Sequence, residues 1–418
     1  MTTVAARRRQ GTTAFGYVLF VGLVAGGYFY NLTFVQLGLV DLGTRVVGLT
    51  PDRVAAHLAV LAGGTLVVAL VSGVVLHRTG GSARFLTKLR LLSLVVLLQT
   101  VLTAAAPAVG SERAFALWVL TASVALGVGV PAMFGLTCDL VATRDRGWVA
   151  AVVTSAAFLP AAVLTTDWQI ERFTEQLVWP MAIGAVALTV LAFVPSGITQ
   201  VLARQHESPR FGRGRFTVAD QPAALPGRGF LVALVLMFGI YFIDSLGFLR
   251  LVDTPAYMVT AWHSADPSPP WLIGAAHVLA AALAGILYPA LRQRTLFGWV
   301  FVLFALAQLQ YVLHAMVAPE VPASLAAPLL YAMAVSIYTV LSFTLWADFS
   351  TPRTIALVTA VGVGVSGWLA SFLSTSLSLA WRSGGMPFTD HMRTVAAISL
   401  TLLLVSAVLL VLSREDTA

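Results

Sequence analysis

Long apolar runs separated by short polar segments fill this chain almost from end to end. A helix needs roughly 20 residues to cross the hydrocarbon core of a bilayer, so each charge-poor run of that length is a candidate span. The pattern predicts twelve helices, at about 14–38, 54–76, 88–109, 114–137, 148–166, 177–203, 229–251, 270–291, 295–317, 324–347, 354–379 and 392–413. The sequence therefore predicts an all-α polytopic membrane protein.

Composition narrows the function classes. The chain is 58% hydrophobic and 10% charged, which lies far from the usual composition of a soluble domain. Its net charge of +7 does not indicate a nucleic-acid partner, because the arginines lie between apolar runs instead of clustering on one surface. With the single cysteine Cys138 no intrachain disulfide can form, and the histidines lack metal-ligand spacing. We expect no cofactor.

The basic residues predict the orientation. Lysine and arginine in short loops are retained on the cytoplasmic side of a membrane. With the N-terminus inside, 18 of the 25 lysines and arginines fall in cytoplasmic segments, Lys88 and Arg146 among them. We therefore expect a multi-pass protein of the cell membrane with both termini in the cytoplasm. The basic, Gly- and Pro-rich segment 204–228 is then a cytoplasmic linker between two six-helix bundles, 1–203 and 229–418.

Several features recur after about half the chain length, in the same order. The recurring pairs are Tyr28-Phe29 with Tyr241-Phe242, Leu39-Val40-Asp41 with Leu251-Val252-Asp253, Gly73 with Gly285, Asp139 with Asp348, and Arg144 with Arg353. Each pair relates a helix to the sixth helix after it. Because six is even, both copies enter the membrane from the same side, and the pattern predicts two parallel six-helix repeats.

The loop after the second predicted helix carries the most specific local motif. It reads "GVVLHRTGG" and resembles the G-x-x-x-D-R-x-G-R-R signature of the major facilitator superfamily (MFS) of secondary transporters, a resemblance that extends to the twelve-helix layout. Gly73, Arg78 and Gly80 match, whereas His77 replaces the aspartate and Gly81 an arginine. The resemblance implies that this loop latches the two halves together in the outward-facing state.

The missing aspartate leaves the latch without its acid. We expect Asp139, at the inner end of the fourth helix, to accept from Arg78 instead. Asp348, with Arg353 close behind it, would play the corresponding part in the second half. The alternative is that both aspartates flank the interface in solvent, where ion pairs contribute little.

A second family element is absent. The drug/proton antiporter branch of the superfamily carries a G-P-x-x-G-G pattern in its fifth helix. Here the stretch "TSAAFLPAAVL" keeps only Pro160. This departure argues against a drug antiporter without excluding one.

The stretch "YFIDSLGFLRLVD" puts Asp244 into a predicted membrane helix, past its midpoint. Ionisable side chains inside a membrane normally face protein or water and mark functional sites. The repeat pairs Asp244 with Asn31, and the resemblance implies that both helices line a central cavity. We therefore predict a substrate site at Tyr28, Asn31, Tyr241 and Asp244.

Asp244 is also the predicted proton-coupling residue, since a desolvated carboxylate can take up and release a proton. His277 is a second titratable candidate. The alternative for Asp244 is an ion pair that fixes packing. Arg250 is six residues away and poorly spaced for such a pair, whereas Arg250 and Asp253 can pair locally near the outer surface.

Other polar or aromatic residues lie at similar depth, and most of them are expected to serve packing or the membrane interface. These further cavity candidates are Tyr30, Gln36, Gln99, Gln308, Gln310, Tyr311, His314, Tyr331, Tyr338, Trp346 and Trp368.

The sequence favours a secondary transporter that moves a small organic solute by alternating access and is coupled to protons, with export as a candidate direction. A mostly neutral, aromatic cavity with one acid favours an amphipathic or weakly cationic solute. Two alternatives remain: a transport-inactive scaffold or pigment-assembly factor, and a polytopic membrane enzyme, for which His263 and Asp266 are the nearest candidate pair. We expect a monomer whose partners are the solute, the proton and the lipid bilayer.

Overall fold

The apolar runs form helices in the computed structural model of the protein, which describes residues 2–164, 168–217, 227–252, 254–290, 293–317 and 321–412. Within these ranges twelve helices are long and apolar enough to cross a membrane, which confirms the predicted fold class. We label them α1 (Gly11–Val46), α2 (Pro51–Arg78), α3 (Phe85–Ala108), α4 (Glu112–Leu140), α5 (Thr143–Val163), α6 (Ile170–Phe193), α7 (Arg228–Val252), α8 (Ser268–Ala290), α9 (Thr295–Val317), α10 (Ala326–Asp348), α11 (Ile355–Ser383) and α12 (Phe388–Leu409).

Helix α1 is longer than predicted. It continues to Val46 because Asp41 and Arg45, four residues apart, face each other on one side of the helix. The Arg45 Nη2 atom lies 2.8 Å from the Asp41 carboxylate, so the two charges that mark the end of the apolar run stabilise a further helical turn.

Helix α6 is shorter than predicted and ends at Phe193. Pro195 has no backbone N–H with which to continue the helix. Ser196 then caps a separate helix, Gly197–Ala203, by accepting a hydrogen bond of 3.1 Å from the Thr199 backbone N–H. The predicted ends of the fifth, eighth and twelfth helices, at 165–166, 291 and 413, lie outside the described residues.

The two sets of six helices meet along two seams. Helix α5 packs along α8, and α2 packs along α11. The pairs α3–α6 and α9–α12 pack within their own sets. This arrangement leaves α1, α4, α7 and α10 around the centre of the molecule, where a cavity lies.

One end of the bundle carries the start of α1 and the described part of the linker, and we call it the linker end. Gln205 in the linker donates a 3.4 Å hydrogen bond from Nε2 to the Thr13 hydroxyl of α1. The other end of the bundle is called the opposite end. Residues 218–226 of the predicted linker lie outside the described ranges.

Helices α1 and α11 contribute wide, π-helical segments to the cavity wall, Asn31–Gly38 in α1 and Gly364–Leu369 in α11. Such segments interrupt the regular i to i−4 hydrogen bonds and are frequent at functional sites. Both border the central cavity, to which they contribute Asn31 and Trp368.

Candidate functional site

The central cavity has a volume of about 620 Å³ and is lined from both sets of six helices. Its wall is mostly apolar and aromatic. Among the described lining residues Asp244 is the single carboxylate, and no lysine or arginine contributes. Because the cavity lies between the two sets of six helices and is lined by all four residues predicted to bind a substrate, it is the candidate functional site.

Asp244 of α7 faces α10 across this cavity. The Tyr331 hydroxyl donates to one carboxylate oxygen and the Tyr338 hydroxyl to the other. The two tyrosines are seven residues apart, about two helical turns, which places them on the same side of α10. No lysine or arginine within the described ranges forms an ion pair with Asp244.

The other predicted substrate residues line the same cavity. The Tyr241 hydroxyl donates to the Ser342 hydroxyl at 3.1 Å, and the Tyr241 ring lies 4.9 Å from that of Tyr338. Tyr28 of α1 packs edge-on against Phe343 of α10, with ring centroids 5.1 Å apart. The structure thus brings Tyr28 and Tyr241, which the repeat pairs, to one chamber.

Asn31 lies where the π-helical segment of α1 begins. Its Oδ1 atom is buried and has no hydrogen-bond partner among the described residues. Buried amide oxygens are normally satisfied, and exceptions are worth explaining at a binding site. Because Asn31 lines the cavity, this oxygen is available to accept a hydrogen bond from a solute or from water.

His277 of α8 is buried at the cavity wall. Its Nδ1 atom lies 2.8 Å from the Ser336 hydroxyl, and its ring stacks on Phe158 of α5 with centroids 4.4 Å apart. The ring therefore joins α8 to α5 by packing on Phe158. It also forms part of the cavity wall.

The sequence did not identify Tyr331 and Tyr338 as the hydrogen-bond partners of Asp244. Tyr331 and Tyr338 appeared among the further candidates, together with Gln36, Gln99 and Trp368, and all five line the cavity. By contrast, Gln308 packs against Gly247 of α7, and Trp346 packs against Gly362 of α11. The seven-residue spacing of Tyr331 and Tyr338 is the sequence feature that indicates that both face the same side of α10.

A layer of buried charges closes the linker end below the cavity. Asp348 at the end of α10 lies 2.6 Å from Arg146 Nη1 of α5, and its other carboxylate oxygen accepts from the Tyr288 hydroxyl at 2.7 Å. Arg215 of the linker approaches the same carboxylate at 3.5 Å. The Arg146–Asp348 pair joins the two halves and is fully buried on both sides.

Asp139 at the end of α4 has different partners from those predicted. The expected pair with Arg78 is wrong: Asp139 pairs with Lys88 of α3 at 2.5 Å and with His206 of the linker at 3.0 Å. Arg78 is exposed and forms no ion pair with a described residue. The alternative of a solvent-exposed Asp139 and Asp348 is wrong as well, because both side chains are fully buried.

Sequence reasoning treated Lys88 and Arg146 as loop residues that report topology. In the structure both are buried. Lys88 also donates a 3.0 Å hydrogen bond to the Gly135 carbonyl, and Arg146 Nη2 donates one of 2.8 Å to the Phe211 carbonyl of the linker. The described linker is therefore bound into the closed end.

The predicted latch loop does contact the second half of the chain. The His77 Nδ1 atom lies 2.9 Å from the Arg353 carbonyl oxygen, and the Ser82 hydroxyl donates to the Pro352 carbonyl at 2.9 Å. Gly80 has a φ of 69°, a left-handed conformation that favours glycine. In this closed layer His77 thus bonds to backbone where the family signature has a carboxylate.

Gly73 sets the distance between α2 and α11. A Cβ atom there would lie 2.4 Å from the Ala360 Cβ and 2.9 Å from the Ala356 carbonyl oxygen. We expect Gly73→Ala to lower the free energy of unfolding by about 1–3 kcal/mol, the usual cost of overpacking, because neither contact atom can rotate away. The measurement is thermal unfolding of the purified protein in one detergent.

Gly298 of α9 provides the matched control. A Cβ atom there meets nothing within 4 Å, so Gly298→Ala is expected to stabilise slightly, by about 0.5–1 kcal/mol, through backbone entropy. Equal shifts in melting temperature for the two variants would show that α2 and α11 are not in the close contact described here.

His263 and Asp266, the candidate catalytic pair at the opposite end, contact different neighbours. Asp266 accepts a 3.0 Å hydrogen bond from the Ser268 backbone N–H at the start of α8, and this bond lowers the pKa of its carboxyl. The His263 ring instead packs edge-on against Trp168 at 4.1 Å. Arg250 donates to the Met386 carbonyl at 3.3 Å, whereas its predicted partner Asp253 lies outside the described residues.

Comparison with solved structures shows which fold this is. The xylose transporter XylE from E. coli, in a partially occluded inward-open conformation, matches 93% of this chain and 96% of its own with a TM-score of 0.64 at 14% identity. XylE bound to 6-bromo-6-deoxy-D-glucose, described as a proton:xylose symporter, matches 93% and 94% with a TM-score of 0.63 at 13% identity. The human organic anion transporter MFSD10 (TETRAN) matches 96% and 99% with a TM-score of 0.63 at 15% identity.

The protein therefore has the fold of the MFS transporters, across nearly its whole length. No protein-family description and no curated protein sequence matches the chain.

Proposed function

We propose that this protein is a secondary active transporter that moves a small organic solute across the membrane by alternating access, coupled to protons. The observation that carries the proposal is Asp244: a carboxylate that lies in a central cavity between the two halves, hydrogen-bonded to two tyrosines, with no described basic partner. Intramembrane carboxylates in such positions mark substrate or proton pathways. The fold, shared with transporters, supports the same conclusion.

Asp244 can bind a proton or a cationic group of the solute. An ionised carboxylate has about four lone-pair sites, of which Tyr331 and Tyr338 occupy two. The remaining sites can accept one proton or the charged head of a solute. Because the proton and the solute compete for one carboxylate, binding of the solute releases the proton. The protein would therefore exchange the solute for a proton across the membrane. Asn31 and Tyr241 supply neutral polar groups to the solute.

The moving parts are the two six-helix units, 1–203 and 229–418. The linker end is closed by contacts between them, and the polar contacts include Arg146–Asp348, His77 to the Arg353 carbonyl and Ser82 to the Pro352 carbonyl. Opening this end requires that these contacts break. We assign Gly73, His77, Asp348 and Arg353 to the gate on this basis, with Gly80 shaping the loop that carries His77.

The linker end is proposed to face the cytoplasm of the cell, since the basic residues of the sequence concentrate there. The closed layer then separates the cavity from the cytoplasm. On this proposal the opposite end faces the outside of the cell.

The solute is inferred from the site and not from the fold, because one fold hosts many substrates. XylE is described as a proton:xylose symporter and MFSD10 as an organic anion transporter. Here an unpaired acid among aromatic rings favours a cation, which both a carboxylate and the ring faces attract. An anionic or phosphorylated solute would instead need lysine or arginine side chains, and neither lines the cavity within the described ranges.

Proteoliposomes test the proposal. We expect purified protein to accumulate radiolabelled hexyltrimethylammonium against its concentration gradient when the lumen is acidic, and to lose the accumulation when a protonophore collapses the pH gradient. Empty liposomes are the control, because a permanent cation does not cross the bilayer by itself. If neither uptake nor binding occurs for this cation or for a panel of neutral solutes, the transporter proposal fails and a scaffold role is favoured.

A further inference from the structure

The central cavity has a side crevice between α1 and α6. It reaches from Asp244 past helix α1 to glycines on both helices, Gly22 and Gly26 on α1 and Gly184 on α6. All three glycines are exposed, and a Cβ atom at any of them meets nothing within 4 Å. The crevice exists because these positions lack side chains.

The mouth of the crevice lies on the membrane-facing surface. On α1, Gly22 and Gly26 continue the row of Val18, which is 71% exposed, at four-residue intervals. On α6, Gly184 adjoins Ile183, which is 68% exposed. Large apolar side chains that are this exposed within a membrane span face lipid. The crevice therefore opens between two lipid-facing rows.

The neighbouring wall of the cavity is apolar. Leu92 and Val96 of α3 and Val130 of α4 line the same cavity at about the depth of the three glycines. An apolar channel of this kind favours hydrocarbon over any polar group. The polar and apolar parts of the cavity are thus segregated: the carboxylate and tyrosines lie at the centre, and the hydrocarbon-compatible space lies toward the membrane.

We propose that the α1–α6 crevice is a tail subsite, so that the transported solute is an amphipathic cation whose head binds at Asp244 and whose hydrocarbon tail lies in the crevice. The inference rests on the proposed function and names its substrate class. The head is a quaternary or protonated amine, recognised by the carboxylate and by the faces of Tyr331, Tyr338 and Trp262, the last also a lining residue. The open mouth lets the tail enter from the half of the bilayer nearer the linker end, because Gly22 and Gly26 lie on the linker-end side of the middle of α1.

A chain-length series tests the tail subsite. Dissociation constants are measured for ethyl-, hexyl- and decyltrimethylammonium on the full chain in phosphatidylcholine nanodiscs. Since each methylene moved out of water improves binding about fourfold, we expect the wild type to bind the decyl compound at least about 100-fold more tightly than the ethyl compound. Decanesulfonate, with the same tail and an anionic head, is expected not to bind.

Gly184→Leu and Gly26→Leu place side chains in the crevice from its two walls. We expect each to reduce the gain from ethyl to decyl at least about tenfold while leaving ethyltrimethylammonium binding unchanged. Gly298→Leu adds the same side chain at an open position on α9 and is expected to retain the full gain. Two crevice variants from different helices keep the test valid if one of them fails to fold.

The outcomes separate the inference from the proposed function. A chain-length gain that persists in both crevice variants would mean that the tail stays in the bilayer, or that a lipid acyl chain occupies the crevice, and the tail subsite would be wrong. In that case Asp244-dependent binding of the ethyl compound would still support the transporter. Absence of binding by every cation would overturn the amphipathic-cation substrate itself.

Discussion

Asp244→Asn is expected to abolish proton-driven accumulation of hexyltrimethylammonium in proteoliposomes. Asparagine keeps the size of the side chain and one carbonyl oxygen that can accept from a tyrosine hydroxyl, whereas its amide NH₂ group, in place of the second carboxylate oxygen, only donates. It can neither bind a proton nor carry charge. Accumulation above the equilibrium level should therefore be lost completely. Affinity for the cation should fall at least about tenfold, because the attraction between opposite charges is lost in a poorly solvated cavity.

Asp266→Asn is the matched control for this substitution. Asp266 is an exposed carboxylate that caps the start of α8, and asparagine caps helices as well as aspartate does. We expect wild-type accumulation in this variant. Retention of proton-driven accumulation by Asp244→Asn would show that the coupling proton binds elsewhere, with His277 as the next residue to test.

Asp348→Asn is expected to have the largest effect on stability of any single substitution at the linker end. It leaves the Arg146 guanidinium buried without its carboxylate, and removal of one partner from a buried pair costs about 3–5 kcal/mol. The change should lower the melting temperature and, because the pair joins the two halves, favour an open linker end. Thermal unfolding measures the first effect, and accessibility of a cysteine introduced at Ser342 measures the second.

Two further variants give this prediction its controls. Asp390 and Arg393 form an exposed pair on α12, so Asp390→Asn should change stability by no more than about 1 kcal/mol. The double variant Arg146→Met with Asp348→Asn removes both fully buried charges and should recover much of the loss, because the buried guanidinium is no longer left without its carboxylate. An effect of Asp348→Asn as small as that of Asp390→Asn would contradict the assigned role of the buried pair.

The twelve membrane-spanning helices could be predicted from the sequence. Length and charge pattern alone predict twelve spanning helices, because a bilayer admits few other structures. The errors fall where local chemistry overrides the apolar run. Asp41 and Arg45 extend α1 by pairing within it, and Pro195 with Ser196 ends α6 early.

The site was predictable only in part. Depth and repeat symmetry selected Tyr28, Asn31, Tyr241 and Asp244, and the structure places all four on one cavity. Whether they bind the solute remains a prediction.

The ion-pair partners of the buried charged residues could not be predicted from the sequence. Lys88 and Arg146 look like loop residues in the sequence, because hydropathy cannot show that the linker folds back and buries them against Asp139 and Asp348. Contacts between helices distant in the sequence depend on tertiary packing, which leaves no local pattern. The side crevice likewise depends on three glycines whose common location appears only in the fold.

The central claim is that the cavity around Asp244 opens to one end of the bundle at a time. Paired spin labels test it most directly, in a Cys138→Ala background, with one pair at Arg78 and Arg353 of the linker end and another at Arg53 and Ser383 of the opposite end. All four positions are exposed. On a change of pH or addition of decyltrimethylammonium, we expect one distance to lengthen as the other shortens. Two distances that stay constant, or that lengthen together, would contradict alternating access.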